Sequence, residues 1–310
     1  MNRHAATLAL LLLSAPAMGR EMKPDQTVYA TTQDGSGEAV HAEWVEPDGT
    51  QRQLDFHLPA QSLAPQTRRI TPPSPVEVQH VGMLAAQAEA DRVPAGVHIQ
   101  LRPLPNGVDA RANGPAGADL SGSMQRVMAA YRVAANTAVL DAGFRFRTPT
   151  LAEPDFPRLV REHGALLRGA AAEIARQTAS LPPRARVQLL ISFLQSLPYE
   201  TLVHRGETAM RTPSGVLADD RGDCDAKSVT LAALLTVVAP ELGTALIYDE
   251  EHAFLGATLP PQPGDAAFSV GGRTYVALEP VGPGWFPVGQ ISPKSQSILR
   301  SGTAHTAVLH

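Results

Sequence analysis

The chain contains 310 residues, of which 44% are hydrophobic and 18% are charged, and its formal net charge is -4. This composition is typical of a globular protein with one large domain or two smaller ones, and it excludes a fibrous or wholly disordered chain. Only 5% of the residues are aromatic. We expect no nucleic-acid partner, because phosphate backbones and bases are bound by basic surfaces and stacking rings.

The first 19 residues have the layout of a secretory signal peptide. A basic start at Arg3 and His4 is followed by an apolar run over residues 5–13 and by a small-residue cleavage site, either Ala15-Pro16-Ala17 or Ala17-Met18-Gly19. The run is too short to span a bilayer. We therefore expect residues 1–19 to be removed on export, the mature protein to be periplasmic or secreted, and no transmembrane segment to remain.

Residues 20–64 predict a small β-rich unit. The turn signals Asp34-Gly35 and Asp48-Gly49 separate segments in which apolar and polar residues alternate, which is the pattern of strands joined in hairpins. Residues 65–75 end in Thr71-Pro72-Pro73-Ser74-Pro75 and show no apolar period. Their composition is typical of a linker and predicts a domain boundary.

Residues 76–180 predict an α/β region of unknown role. Apolar residues recur with strand spacing over residues 97–101 and with helix spacing over residues 119–142 and 156–178, so we expect one strand and two long helices. The arginines of this region are interpreted as solvated surface residues, because charged side chains are mostly exposed. The sequence of this region therefore predicts secondary structure, and it indicates no catalytic or binding residues.

Residues 181–291 predict a third unit, in which helices precede an antiparallel sheet. We expect a helix over residues 184–197, a buried helix that begins near Cys224, and strands over residues 244–248, 252–259 and 273–278. The polar residues 292–310 are expected to form a loose C-terminal tail. The element order predicts the α+β class.

Cys224 is the only cysteine of the chain, and it follows Gly222 and Asp223 at the start of the buried helix. A helix N-terminus offers unpaired N–H groups and a partial positive charge, which favour the thiolate over the thiol. Asp223 is a suitable N-cap; its charge and that of Asp225 oppose thiolate formation, while Lys227 favours it. We interpret Cys224 as a nucleophile. The alternative is a small buried hydrophobic residue, which is the common state of a free cysteine.

A thiol nucleophile needs a base within hydrogen-bond reach and a third group that orients the base. His252 begins one predicted strand, and Glu279 ends the next one. If these strands pair as antiparallel neighbours, both side chains lie at the same edge of the sheet. The sequence therefore predicts a triad of Cys224, His252 and Glu279.

The segment Gly222-Asp223-Cys224-Asp225-Ala226-Lys227-Ser228 resembles the active-site helix of bacterial transglutaminase-like proteins. The similarity extends to four further segments: Phe193-Leu194-Gln195-Ser196-Leu197-Pro198-Tyr199, Thr212-Pro213-Ser214-Gly215, Glu251-His252-Ala253 and Ala277-Leu278-Glu279-Pro280. It covers about a third of the chain and implies a papain-like core, with a helix-borne cysteine packed on an antiparallel sheet. Many relatives carry aspartate at the position of Glu279. A glutamate is one methylene longer and can still accept a hydrogen bond from the imidazole.

The resemblance implies a cysteine peptidase or amidase that acts on a protein or cell-envelope peptide through a thioester acyl-enzyme. Gln195 is a candidate oxyanion donor by analogy with papain-like enzymes, and the backbone N–H of Cys224 is another. Tyr199 and Asp223 are further candidates for oxyanion or substrate binding. Two alternatives stay open: a transferase that crosslinks proteins through amide bonds, and a catalytically silent peptide-binding module.

No cofactor and no metal ion are expected. The acidic turn Asp249-Glu250-Glu251 precedes His252, but four successive residues on a turn point in different directions and lack the spacing of metal ligands. We interpret this segment as a solvated turn that leads into a strand.

Overall fold

The computed structural model describes residues 27–104, 107–148, 151–201 and 209–310. The predicted signal peptide, residues 1–19, lies outside the described residues. Within them the protein has a mixed α+β fold with antiparallel sheets, as the element order predicts.

The first described elements form a three-stranded antiparallel sheet of β1 (Val28–Asp34), β2 (Gly37–Val45) and β3 (Gln51–Pro59). Alternate residues of β2 and β3 are buried on its inner face, among them Trp44 and Phe56. The turn between β2 and β3 contains Gly49 in the left-handed region, with φ 90°, which the Asp-Gly signal predicts. The Trp44 indole donates to Ser192 Oγ at 3.1 Å, so this sheet shares the main core.

Residues 65–75 are structured, which differs from the prediction of a linker. Two short helices, α1 (Ala60–Leu63) and α2 (Pro65–Arg68), lead into the strand β4 (Arg69–Ile70), and helix α3 (Pro75–Ala90) follows with Ser74 as its N-cap. Pro65 and Pro75 stand in the first turns of α2 and α3, where a missing N–H costs nothing and the fixed φ suits a helix. Pro72 and Pro73 lie between β4 and α3, in residues that form neither helix nor strand.

Helix α3 packs against helix α4 (Leu120–Asp141), and the hairpin of β5 (His98–Leu104) and β6 (Gly107–Asn113) lies against both helices. We call α3 and α4 the helix pair. Its small core consists of the buried residues Ala86, Ala90 and Val127. The predicted strand over residues 97–101 and the predicted helix over residues 119–142 are confirmed.

A second hairpin of β7 (Phe144–Thr148) and β8 (Leu151–Pro154) precedes three helices: α5 (Phe156–Leu166), α6 (Arg168–Gln177) and α7 (Pro183–Ser196). The single helix predicted over residues 156–178 is divided at Leu167, whose φ of -90° and ψ of 7° are not helical. The break lets α6 pack against β3. The helix predicted over residues 184–197 is confirmed.

The strand β9 (Met210–Arg211) pairs with β4 and leads through helix α8 (Pro213–Ala218) into helix α9 (Cys224–Val238). Helix α9 lies at the centre of the core and contacts α5, α6, α7 and α8. Of its 15 residues, 12 are buried, so the predicted buried helix after Cys224 is confirmed. Among the described helices, none combines the length and the apolar character needed to cross a membrane.

The main sheet is antiparallel and has the strand order β12–β13–β11–β10–β14. Its strands are β10 (Thr244–Tyr248), β11 (Ala253–Ala257), β12 (Ala267–Val270), β13 (Arg273–Leu278) and β14 (His305–Val308). Strands β10, β11 and β13 were predicted by the sequence. Strands β12 and β14 are additional, and both are short edge strands.

The prediction of a loose tail over residues 292–310 differs from the structure. Helix α10 (Pro293–Ser301) begins after Ser292, whose Oγ accepts the Ser295 N–H at 3.1 Å, and β14 pairs with β10 in the register Leu246↔Ala307. Buried Ile298 and Ala307 attach this segment to the core. A polar terminus suggests disorder only when nothing ties it down, and here a helix cap and a strand ladder do so.

Candidate active site

Cys224 is the first residue of α9. The Asp223 carboxylate caps the helix by accepting the Ala226 N–H at 2.8 Å, so the sequence-predicted N-cap is present. The Cys224 thiol lies 3.7 Å from Asp225 Oδ1 and is 3% exposed. N–H groups of the first turn have no acceptor within the helix, and the helix dipole favours negative charge at this end. The helix start therefore favours a thiolate, whereas the Asp225 carboxylate beside the sulfur and the burial of the side chain oppose it.

The backbone before Cys224 is held by a short strand-like contact. Gly222 donates to Pro198 O at 3.3 Å and accepts from the Glu200 N–H at 3.2 Å. A Cβ on Gly222 would lie 2.9 Å from Val216 Cγ2, so a larger residue here would force Val216 or the backbone to shift. Tyr199 forms the corresponding bridge with Gly222 and is 43% exposed. Tyr199 is therefore an exposed residue paired with Gly222, which precedes the first residue of α9 by two positions.

His252 and Glu279 are brought together by the pairing of β11 with β13. His252 directly precedes β11, Glu279 directly follows β13, and the two strands are antiparallel neighbours with Leu255 opposite Leu278. His252 Nε2 lies 2.9 Å from Glu279 Oε1, and both side chains are buried. The predicted contact between the two residues is confirmed. The glutamate at this position reaches the imidazole.

The hydrogen bonds of the described residues leave one ring nitrogen of His252 for chemistry. Nε2 contacts Glu279 and Ser295, whereas none of these hydrogen bonds uses Nδ1. With a proton on Nε2 facing the carboxylate, Nδ1 carries the lone pair and is the basic nitrogen. In this tautomer Nδ1 is the ring nitrogen that can accept a proton.

Helix α9 packs against β11, so the element that begins with Cys224 lies on the strand that His252 precedes. The three predicted triad residues thus lie on elements that pack against one another. Cys224 begins α9, His252 precedes β11, and Glu279 follows β13, the neighbour of β11. Ser295 on α10 contacts both His252 and Glu279. The sequence analysis did not predict this residue as part of the site. No local pattern identifies it, because its position depends on how the C-terminal segment folds back.

Gln195 is placed differently from the prediction of an oxyanion donor. Its side chain is fully buried, and its Nε2 donates to Glu279 O at 2.7 Å and to Phe286 O at 3.0 Å. A glutamine amide has two hydrogens, and these two contacts use both. Gln195 therefore fixes the backbone at the end of β13, which supports the position of Glu279.

Lys227, one helical turn after Cys224, is fully buried, and its Nζ donates to Leu197 O at 2.7 Å. Burial lowers the pKa of Lys227 to about 7, and nearby Asp223 opposes this shift only in part. At neutral pH the amine is therefore only partly charged. The expected support of Lys227 for a thiolate is correspondingly weaker than that of a full positive charge.

Among the described residues, no three His, Cys, Asp or Glu side chains are grouped so that they could hold a metal ion. No protein-family model matches the chain, and no curated protein matches it.

Proposed function

We propose that this protein is an exported cysteine hydrolase with a transglutaminase-like core, a peptidase or amidase that acts on a protein or cell-envelope peptide. The observation that carries the proposal is the hydrogen bond of 2.9 Å between His252 Nε2 and Glu279 Oε1. It lies beside the strand on which the Cys224 helix packs. The order of cysteine, histidine and acid along the chain and the antiparallel sheet support the same reading.

The reaction would proceed through a thioester. His252 Nδ1 takes the proton of Cys224 Sγ, the thiolate attacks the substrate carbonyl carbon, and an S–C bond forms. The C–N bond then breaks, and the leaving amine receives the proton from the imidazolium. Water next gives a proton to Nδ1 and attacks the thioester carbonyl carbon, so that a C–O bond forms. The C–S bond then breaks, the acid is released, and the Cys224 thiolate takes the proton back from Nδ1. Glu279 orients the ring and stabilises the imidazolium.

The developing oxyanion needs donors that point at it. The backbone N–H of Cys224, at the first position of α9, is the candidate that suits the helix start. Gln195 is not assigned this role, because its amide hydrogens are bound to two backbone carbonyls. Tyr199, which is half exposed beside Gly222, is assigned to substrate contact.

One observation favours a second candidate, the catalytically silent peptide-binding module. Cys224 is 3% exposed and His252 is 8% exposed, whereas a nucleophile must reach a carbonyl carbon of its substrate. If Cys224 is only a small buried residue, its thiol will be protonated and unreactive at neutral pH.

The decisive experiment measures the rate at which iodoacetamide alkylates Cys224 between pH 5 and pH 9. A small reagent suits the low exposure, and the single cysteine of the chain makes the signal specific. At pH 6 an ordinary thiol is less than about 1% ionised, so we expect wild type to react on the order of 100-fold faster than His252→Ala. His80→Ala on the exposed face of α3 is the matched control and should react like wild type.

Slow alkylation of both proteins, with the same rise above pH 8, would contradict the nucleophile and favour the silent module. If Cys224 is reactive, incubation with peptide amides and an amine probe separates two outcomes. Release of free acid supports hydrolysis, and incorporation of the probe supports the crosslinking transferase instead.

A further inference from the structure

The His252–Glu279 pair is completed by a residue of the C-terminal segment. Ser295 Oγ lies 3.0 Å from His252 Nε2 and 3.0 Å from Ser292 Oγ, and it also donates to Glu279 Oε2. Ser295 is fully buried. One hydroxyl group therefore contacts both members of the pair away from solvent.

The donors and acceptors define how the protons are arranged. An ionised carboxylate only accepts hydrogen bonds, so the single Ser295 hydroxyl hydrogen points at Glu279 Oε2. The Ser295 oxygen can then only accept from His252 Nε2, which requires the proton of the imidazole to be on Nε2. Glu279 Oε1, 2.9 Å from the same nitrogen, demands the same tautomer. Two acceptors thus fix one tautomer, and the basic lone pair stays on Nδ1.

The hydroxyl of Ser295 is not needed for the helix that carries it. Ser292, not Ser295, caps α10, and the Ser292 N–H also donates to Glu279 Oε2 at 3.3 Å. The helix is held by buried Ile298, and β14 beyond it pairs with β10. The segment from Ser292 to Val308 therefore presents two donors to Glu279, and the Ser295 hydroxyl has no structural partner outside the pair and its own helix cap.

We propose that Ser295 is a positioning residue of the active site: it holds the Glu279 carboxylate and fixes His252 in the tautomer with the proton on Nε2. This inference rests on the proposed cysteine chemistry for its consequence, but the tautomer itself is a property of the resting protein. The C-terminal segment is then part of the active site, and a protein truncated before Ser292 would lack two of the donors to Glu279.

The test compares Ser295→Ala with Ser297→Ala, since Ser297 is an exposed serine two positions along the same helix. Loss of the Ser295 hydrogen bond to the Glu279 carboxylate should lower the alkylation rate of Cys224 at pH 6 about tenfold. It should also move the acid side of the pH profile upward by about one unit. Ser297→Ala should leave both unchanged, and Ser295→Thr, which keeps the hydroxyl, should restore most of the rate.

A merely structural role would lower the melting temperature of Ser295→Ala without moving its pH profile, and that result would overturn the proposal. Independently of any variant, the ¹⁵N chemical shifts of His252 in the wild type report the tautomer, and a proton on Nδ1 would also overturn it. If wild-type Cys224 proves unreactive, the proposed function fails, while the ¹⁵N measurement still decides the role of Ser295.

Discussion

Helix α9 and the helix pair are the two extremes of this protein. Helix α9 buries 12 of its 15 residues, whereas α3 buries three of 16 and α4 buries four of 22. The buried residues of α9 include the polar side chains of Lys227, Ser228 and Thr230, all of them fully buried. The helix pair buries one polar side chain, that of Ser123.

Polar groups inside a protein cost free energy unless hydrogen bonds replace the lost water. Lys227 donates to one carbonyl, and Ser228 Oγ has no hydrogen-bond partner among the described residues. Natural sequences break such packing rules mostly at functional sites. Helix α9 therefore combines the most heavily buried packing with buried polar side chains, whereas the helix pair has a small core with one buried polar side chain.

The largest expected effect comes from a cavity in that core. Leu234 on α9 is fully buried, whereas Leu84 on α3 is 59% exposed. Leu234→Ala should lower the free energy of unfolding by about 4 kcal/mol, because it removes buried methyl groups and leaves a void. Leu84→Ala, the same chemical change, should lower it by less than about 0.5 kcal/mol. Urea denaturation measures both, and equal losses would abolish the distinction between the two regions.

The second expected effect is an increase in the free energy of unfolding, on replacement of a buried lysine of α9. Burial lowers the pKa of Lys227 to about 7, below the value near 10.4 of the unfolded chain. Between these values the unfolded chain binds more protons, so the stability contributed by this position falls as the pH falls from 10 to 7 and then stays constant. Lys227→Met should therefore raise the free energy of unfolding at pH 7 by about 3 kcal/mol, after the lost hydrogen bond to Leu197 O is subtracted.

This gain should shrink toward zero or change sign near pH 10, where the lysine is neutral in both states. Arg132→Met, on the exposed face of α4, is the matched control and should change stability by less than about 0.5 kcal/mol at either pH. A gain for Lys227→Met that is equal at pH 7 and pH 10 would show that the buried amine is not the cause.

Much of this fold follows from local patterns in the sequence. The alternation in β2 and β3 and the apolar run of α9 predict their structures, because each pattern directly records which face is buried. Strand β14 and helix α10 could not be predicted in this way. These two elements are held in place by the pairing of β14 with β10 and by the packing of Ile298 against buried residues such as Ile247 and Phe254. Such partners are distant in the chain and leave no local periodicity in the sequence.

The same division applies to the candidate site. His252 and Glu279 could be predicted as neighbours, since strand pairing places the start of one strand beside the end of the next. The contacts of Gln195 and Ser295 could not, because each depends on which backbone carbonyl or carboxylate a folded neighbour presents. A sequence motif therefore predicts the candidate catalytic residues better than it predicts the residues that hold them in place.

The smallest expected effect is a dependence of the free energy of unfolding on pH, which a buried histidine beside α9 causes and an exposed histidine of the helix pair does not. His163 on α5, a helix that packs against α9, is buried with its Nδ1 2.8 Å from Ser214 Oγ. Burial lowers the pKa of His163 to about 4, whereas the unfolded value is near 6.5. Folding thus favours the neutral ring. The contribution of His163 to the free energy of unfolding is complete above pH 6.5 and is lost as the pH falls from 6.5 toward 4.

The free energy of unfolding should therefore fall by about 2 kcal/mol more in wild type than in His163→Gln when the pH is lowered from 7 to 5. His80→Gln, on the exposed face of α3, should follow wild type, because its ring is hydrated whether the chain is folded or not. Urea denaturation at the two pH values provides the measurement. Equal losses of unfolding free energy in wild type and His163→Gln would mean that water reaches His163 in the folded protein. The helices around α9 and the helix pair would then differ in packing but not in the hydration of their histidines.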